Sequence, residues 1–179
     1  MNIVFETERL YHRQFIADED AFHFFSLNND PAVIKYTGDK AFADLSEAQQ
    51  FMNDYKYNFI GSNKEIPIGR WAMIRKNDLA FLGWCGLRFD VFSGEIDLGY
   101  RLYKNAWGQN YATESAKGCL KFGFEKLNIP EIIGRAMHEN KASIRVLEKC
   151  GMKFRNEFTG NDHAGVCYAI SKEEFNSRT

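Results

Sequence analysis

Trp107-Gly108-Gln109-Asn110-Tyr111-Ala112-Thr113-Glu114-Ser115 joins a strand-like run, Ile96 to Tyr103, to a helix-like one, Tyr111 to Lys126. A small-residue turn leading from a strand into a helix leaves main-chain N–H groups without intrahelical partners. Together with the positive end of the helix dipole, those donors form an anion site that needs no lysine. The stretch also decides the architecture, because a long helix following a strand carries the chain across the sheet before the next strand.

Upstream, Ile68 to Arg75, Leu79 to Phe89 and Glu95 to Tyr103 read as strands. Lys76-Asn77-Asp78 and Phe92-Ser93-Gly94 are turns, and such short links make these strands antiparallel neighbours. Downstream, Ala112, Ala116, Cys119, Leu120, Gly123 and Leu127 fall at helical spacing and predict one packing stripe. Pro130 ends that region, and Ile132 to Met137 follows as a buried strand. Asn140 to Cys150 is a helix closed by Gly151. Met152 to Phe158 and Gly165 to Ser171 finish as strands around the polar turn Thr159 to His163. At the other end, Leu10 to Phe15 is the first strand. Helices follow at Asp18 to Leu27 and Leu45 to Tyr57, the former broken by Asn28-Asn29-Asp30-Pro31. The sum is an α+β sandwich on one mixed, mostly antiparallel sheet flanked by helices, ordered β-α-α-β-β-β-α-β-α-β-β. Without an internal repeat or Pro/Ser-rich linker, residues 1–179 are expected to make one domain.

Twenty-three Lys plus Arg balance twenty-four Asp plus Glu, a formal charge of −1 that gives no sign of a nucleic-acid arm or an electrostatic membrane anchor. No apolar run is long enough to span a bilayer, and the first residues lack a signal-peptide core, so the cytoplasm is the expected location. Cys85, Cys119, Cys150 and Cys167 have no close metal or redox spacing, so reduced structural thiols and no metal are expected. The sixteen Phe, eight Tyr and three Trp mostly fill core.

Four stretches in order resemble the GNAT superfamily of acyl-CoA-dependent N-acetyltransferases, and the resemblance covers nearly the whole chain. They are Thr7-Glu8-Arg9-Leu10 with Arg13 and Phe15, Asn29-Asp30-Pro31 with Val33, Leu98-Gly99-Tyr100 followed by Trp107 to Ser115, and Asn140 to Met152. The nearest likeness is to the RimJ/RimL type, which acetylates protein N-termini and, in relatives, small amines.

The resemblance implies acetyl-CoA as acyl donor. Its binding residues would be Leu98, Tyr100, Trp107, Gly108, Gln109, Asn110, Tyr111, Ala112 and Thr113, with Asn140 and Ser143 along the pantetheine. The family places small residues at the fourth and sixth positions of the loop, here Asn110 and Ala112. Asn110 departs from the usual glycine, yet asparagine tolerates left-handed backbone better than most residues. Ser143 is the candidate donor to the departing sulfur, and Tyr168 is its rival. An ammonium acceptor must lose a proton first. Glu95 and Asp97, two apart on one strand, share a face and are the candidate bases, with His138 behind them. Tyr36, Trp71 and Trp84, with Phe89 nearby, are candidates for the amine wall.

Two functions of different classes remain at this point. One is direct acetyl transfer to a primary amine, either a protein or peptide N-terminus or a small amine. The other is an acyl-CoA-binding regulator without catalysis, suggested by Asn110. A nucleotide-binding module is disfavoured because neither a Walker lysine nor a Rossmann glycine triplet is present. The expected partners are acetyl-CoA and an amine, with no nucleic acid and no membrane. A homodimer through the terminal hairpin is left open.

Overall fold

A computed structural model describes residues 2–55, 58–59, 67–90, 93–159 and 164–177. The part of the expected second helix at 56–57, residue 92 of one turn and residues 160–163 of another lie outside the described residues.

In chain order the strands are β1 (Ile3–Glu6), β2 (Leu10–Arg13), β3 (Asn58–Phe59), β4 (Pro67–Ile68), β5 (Arg70–Arg75), β6 (Phe81–Phe89), β7 (Ile96–Leu102), β8 (Glu131–Met137), β9 (Lys153–Thr159) and β10 (Ala164–Ser171). The helices are α1 (Ala17–Asn28), α2 (Pro31–Ile34), α3 (Leu45–Asp54), α4 (Tyr111–Glu125), α5 (Lys141–Lys149) and α6 (Lys172–Asn176). Eight strands form one sheet in the order β1-β2-β5-β6-β7-β8-β10-β9, while β3 and β4 pair separately. Its neighbours are antiparallel except β7 and β8, which run parallel because α4 carries the chain between them.

The predicted stripe of α4 seats this helix on one face of the sheet. Ala116, Cys119 and Leu120 are fully buried in the main core with Leu87, Leu98 and Ile132. A Cβ on Gly123 would come within 2.8 Å of Ile132 Cδ1 and 2.9 Å of Leu87 Cδ1, so the small residue sets how closely helix and sheet approach. On the other face, α1 and α3 cover the sheet through Phe24, Ala21 and Met52, packed against Phe15, Phe42 and Trp84. Of the three acids in the first turn of α1, Asp18, Glu19 and Asp20, the last has a specific use. It is buried, takes the Arg13 guanidinium at 2.6 and 2.8 Å, and accepts from the Ile16 N–H at 2.8 Å.

Several boundaries differ from expectation. A short strand, β1, precedes the one expected as first, which ends at Arg13 and not Phe15. Pro31 starts a helix as well as ending one. Its missing N–H is no loss at the first helical position, and Asp30 caps α2 by accepting from the Ala32 N–H at 2.8 Å. The second expected helix, α3, ends at Asp54. After β10, Ser171 and Glu174 form a reciprocal capping box that turns the chain into α6. Among the described residues, no helix is long and apolar enough to cross a membrane.

Candidate active site

The parallel junction is where the sheet opens. β6 and β7 stay in register from Gly83↔Leu102 to Phe89↔Ile96, and β8 and β10 from Met137↔Gly165 to Glu131↔Ser171. Between β7 and β8 the register holds only Asp97↔Ile133. Beyond that pair the strands part. A cavity of about 650 Å³ enters the gap. Leu98, Gly99 and Tyr100 line it from β7, Ala136 and Met137 from β8, and Asn140 and Ser143 from the start of α5. Strand edges that leave the ladder expose main-chain donors and acceptors suited to an extended amide-bearing ligand.

Asn140 caps α5, its Oδ1 accepting from the Ser143 N–H at 3.1 Å. Its Nδ2 has no partner among the described residues and remains a free donor at the cavity wall. Across the gap, the Tyr100 hydroxyl lies 2.9 Å from Ser143 Oγ and 3.0 Å from the Ser143 carbonyl oxygen. Burial pushes the Tyr100 phenol well above its ordinary pKa, with the Ser143 contact opposing. The tyrosine therefore keeps its proton at neutral pH; it donates to the Ser143 carbonyl oxygen, and between the two hydroxyls either can be the donor.

The turn before α4 has the geometry its sequence implied. Gly108 (φ +74°) and Asn110 (φ +63°, ψ +9°) both adopt left-handed backbone. Trp107 N–H reaches Lys104 C=O at 3.1 Å, and the first bond into the helix runs from Glu114 N–H to Asn110 C=O at 2.9 Å. Among the described residues, the N–H groups of residues 108–113 between them have no acceptor. They form a nest at the positive end of a fifteen-residue helix. The Asn110 side chain caps nothing; its Oδ1 sits 3.4 Å from Lys149 Nζ at the far end of α5. Tyr111 is buried while Trp107 to Asn110 are exposed, and Ala112 and Thr113 are half-buried. None of these loop residues lines the cavity; α5 spans the interval, with Ser143 at one end and Lys149 at the other.

Both candidate bases meet arginines, Asp97 from β7 and Glu95 from the residue just before it. Glu95 accepts from Arg135 at 2.6 Å through Oε2 and from Arg155 at 2.9 Å through Oε1, and it does not line the cavity. Asp97 does line it; Oδ2 takes Arg70 at 2.6 Å, while Oδ1 has no partner among the described residues. His138 and Tyr168 lie outside the lining. Tyr168 instead donates to Glu148 Oε1 at 3.1 Å, because its position on β10 directs it along the outer side of α5.

Of the three aromatics expected at the amine wall, Tyr36 and Trp84 line the cavity. Trp71 does not. It is fully buried on the opposite face, edge-on to Phe5 and Phe122, because strand alternation turns it towards α4. Trp84 is flanked by two guanidinium groups, Arg70 at 5.4 Å and Arg101 at 5.2 Å from the ring centre.

Arg70 escaped the sequence reading. It crosses the sheet over Gly99, where a Cβ would stand 2.6 Å from the guanidinium, to reach Asp97. The glycines at 86 and 99, inside apolar strands, were the available signal of a close approach. Also missed was the tether of the α4 start. Glu114 accepts from Thr7 Oγ1 at 2.6 Å and from Arg9 through both main chain and side chain.

A sheet split at its one parallel junction, with a main-chain anion nest on the crossover helix, defines a fold class that hosts acyl transfer. Residues 9–153 match the family model described as an acetyltransferase (GNAT) domain. An N-acetyltransferase of Bacillus licheniformis, called p20 and uncharacterized, is 32% identical over 155 residues, covering 84% of this chain and 82% of its own. The crystal structure of a GNAT-family acetyltransferase from Bacillus anthracis superposes with a TM-score of 0.79 at 26% identity, covering 97% of this chain and 100% of that one. Spermidine N-acetyltransferase from Vibrio cholerae, crystallised with CoA and spermine, shares the fold at a TM-score of 0.75 and 16% identity, covering 94% and 98%. The chain belongs to the GNAT acetyltransferase family and is an N-acetyltransferase, of a family that uses acetyl-CoA.

Proposed function

We propose that this enzyme moves the acetyl group of acetyl-CoA directly to a primary amine, a small amine or a peptide N-terminus, as a cytoplasmic member of the RimJ/RimL-type branch. The observation that carries the reading is the gap beyond Asp97↔Ile133, which opens onto the Tyr100–Ser143 hydroxyl pair. In this reading the donor's pyrophosphate sits on the N–H groups of residues 108–113. Its pantetheine follows α5, about 13 Å long for nine residues, and meets the free Asn140 Nδ2 and the edges of Leu98 and Tyr100. The acetyl group then lies in the gap.

The amine nitrogen attacks the thioester carbonyl, forming C–N and breaking C–S. The Ser143 hydroxyl donates to the departing sulfur while Tyr100 donates to Ser143. Asp97 Oδ1, directly or through a water, takes the proton the ammonium must lose. Glu95, with each oxygen on an arginine, instead fixes the wall. The Asn110 side chain turns towards Lys149, which supports a nest open to phosphate. Tyr36 and Trp84 serve the acceptor.

Acetyl-CoA should raise Tm by several degrees, and thiol release should occur with at least one amine from a panel of peptides, amino acids and polyamines. A shift without turnover on any amine would restore the regulator, and no shift would remove coenzyme binding altogether.

A further inference from the structure

The acceptor end of the cavity carries an unbalanced charge. Among the described residues, five cations line it, Lys40, Arg70, Arg88, Arg101 and Arg135, against two carboxylates, Asp39 and Asp97. Both carboxylates are already taken, Asp97 by Arg70 and Asp39 by Arg101. Arg135 is satisfied from outside the lining by Glu95 and by Asp90 at 3.3 Å. Arg88 and Lys40 are left. Neither has an ion-pair partner among the described residues, and both are exposed to the cavity. Arg88 stands opposite Asp97 in the β6–β7 ladder, on the strand face that carries Trp84, yet that carboxylate is held by Arg70. Aromatic rings, Phe15, Phe24, Phe42, Phe51, Tyr36 and Tyr55, make up most of the rest of this end, with Asn28 and Thr37 among them.

Among the described residues, a polycationic amine entering such a chamber would meet like charge and, on the Asp97 carboxylate, a single oxygen, Oδ1, that no cation holds. An anion would meet two uncompensated cations, one of them a planar guanidinium suited to two-point contact with a carboxylate or phosphate. The geometry points to an acceptor amine that carries an acidic group, carboxylate or phosphate, on an apolar or aromatic body, with the acid held by Arg88 and Lys40. This rests on the transferase reading above and narrows it. The acid anchors the molecule at the Arg88 side, while the rings pack its body and leave the amine facing the gap beyond Asp97.

The test uses matched acceptors with acetyl-CoA and reads thiol release: phenylalanine against phenylalanine amide, O-phosphoethanolamine against ethanolamine, and spermidine alone. An acidic member should exceed its neutral partner at least tenfold in kcat/KM, and whichever pair shows the gap identifies the acid. The double variant Arg88→Gln, Lys40→Gln should shrink that gap to about twofold, its acetyl-CoA-induced thermal shift reporting that it is folded. Spermidine as the best acceptor, equal rates within both pairs, or a gap that survives the double variant would overturn the proposal. If no amine turns over, calorimetric binding of N-acetylphenylalanine against its amide decides, and equal affinity overturns it. Absence of any response to acetyl-CoA would be the separate failure of the transferase reading, leaving that binding comparison still interpretable.

Discussion

Glu114 Oε2 accepts from Arg9 Nε at 2.6 Å while Oε1 of the same carboxylate accepts from the Arg9 backbone N–H at 2.8 Å. The pair ties the turn between β1 and β2 to the first turn of α4. The same guanidinium donates to the Gln109 carbonyl at 3.2 Å and lies 4.3 Å from the centre of the Tyr111 ring. Thr7 completes the set by donating to Oε1. Two stretches read separately in the sequence, Thr7 to Leu10 and Trp107 to Ser115, are therefore one device that holds the nest in shape.

Replacing Glu114 by Gln leaves the fold but loosens this tether. The expected result is a rise in KM for acetyl-CoA of about tenfold, roughly 1.4 kcal/mol, with kcat nearly unchanged. Steady-state kinetics at saturating amine checks it. An equal loss in kcat would assign Glu114 to the chemical step instead.

Ser143→Ala removes the hydroxyl that faces the departing sulfur. We expect kcat to fall about 10²-fold or more with the acetyl-CoA dissociation constant within about threefold, since the contact is made in the transition state. Tyr100→Phe should cost less, about tenfold, because Ser143 stays in place. Single-turnover rates with calorimetric binding separate the two effects.

At Asn110 the backbone needs φ near +63°, which glycine adopts freely and a β-branched residue does not. Asn110→Gly should keep the native fold and bind acetyl-CoA at least as well as the parent. Asn110→Val should lose about 1–2 kcal/mol of stability and weaken acetyl-CoA binding. Denaturant melts and titration calorimetry on the pair check this.

His12 gives a pH signature. It is fully buried, stacked on Phe5 at 4.1 Å and hydrogen-bonded to Ser115 Oγ at 2.6 Å. Burial lowers its pKa to about 3 from the ordinary 6.5, opposed by Glu114. The unfolded chain therefore binds a proton that the native ring refuses between those two values. Stability attributable to His12 is flat above pH 6.5 and falls as pH drops towards 3, by up to about 1.4 kcal/mol per pH unit. His12→Gln should remove about one proton from the slope of unfolding free energy against pH over that window. An unchanged slope would contradict the buried neutral ring.

Much of the fold was legible because it rests on local periodicity. The α4 stripe and the antiparallel meander follow from spacing alone. What escaped was short or ambiguous. β1 has four residues with both ends exposed, so it shows little alternation. Pro31 was read as a breaker although it also suits a first helical position, and the Ser171–Glu174 box was hidden at the end of a strand. At the site, the loop and Ser143 were legible by likeness to a family. Their partners were not, since Arg70 with Asp97, Arg135 with Glu95 and Tyr100 with Ser143 join strands and helices distant in sequence. Only packing shows that Trp71 points into the core while Trp84 faces the chamber.

A crystal structure of the enzyme with acetyl-CoA tests the central claim most directly. The account predicts the pyrophosphate within hydrogen-bonding distance of several main-chain N–H groups of residues 108–113, with the thioester sulfur beside Ser143 Oγ in the gap beyond Asp97 and Ile133. Phosphates bound elsewhere, with that nest empty or occupied by the Asn110 side chain, would contradict it.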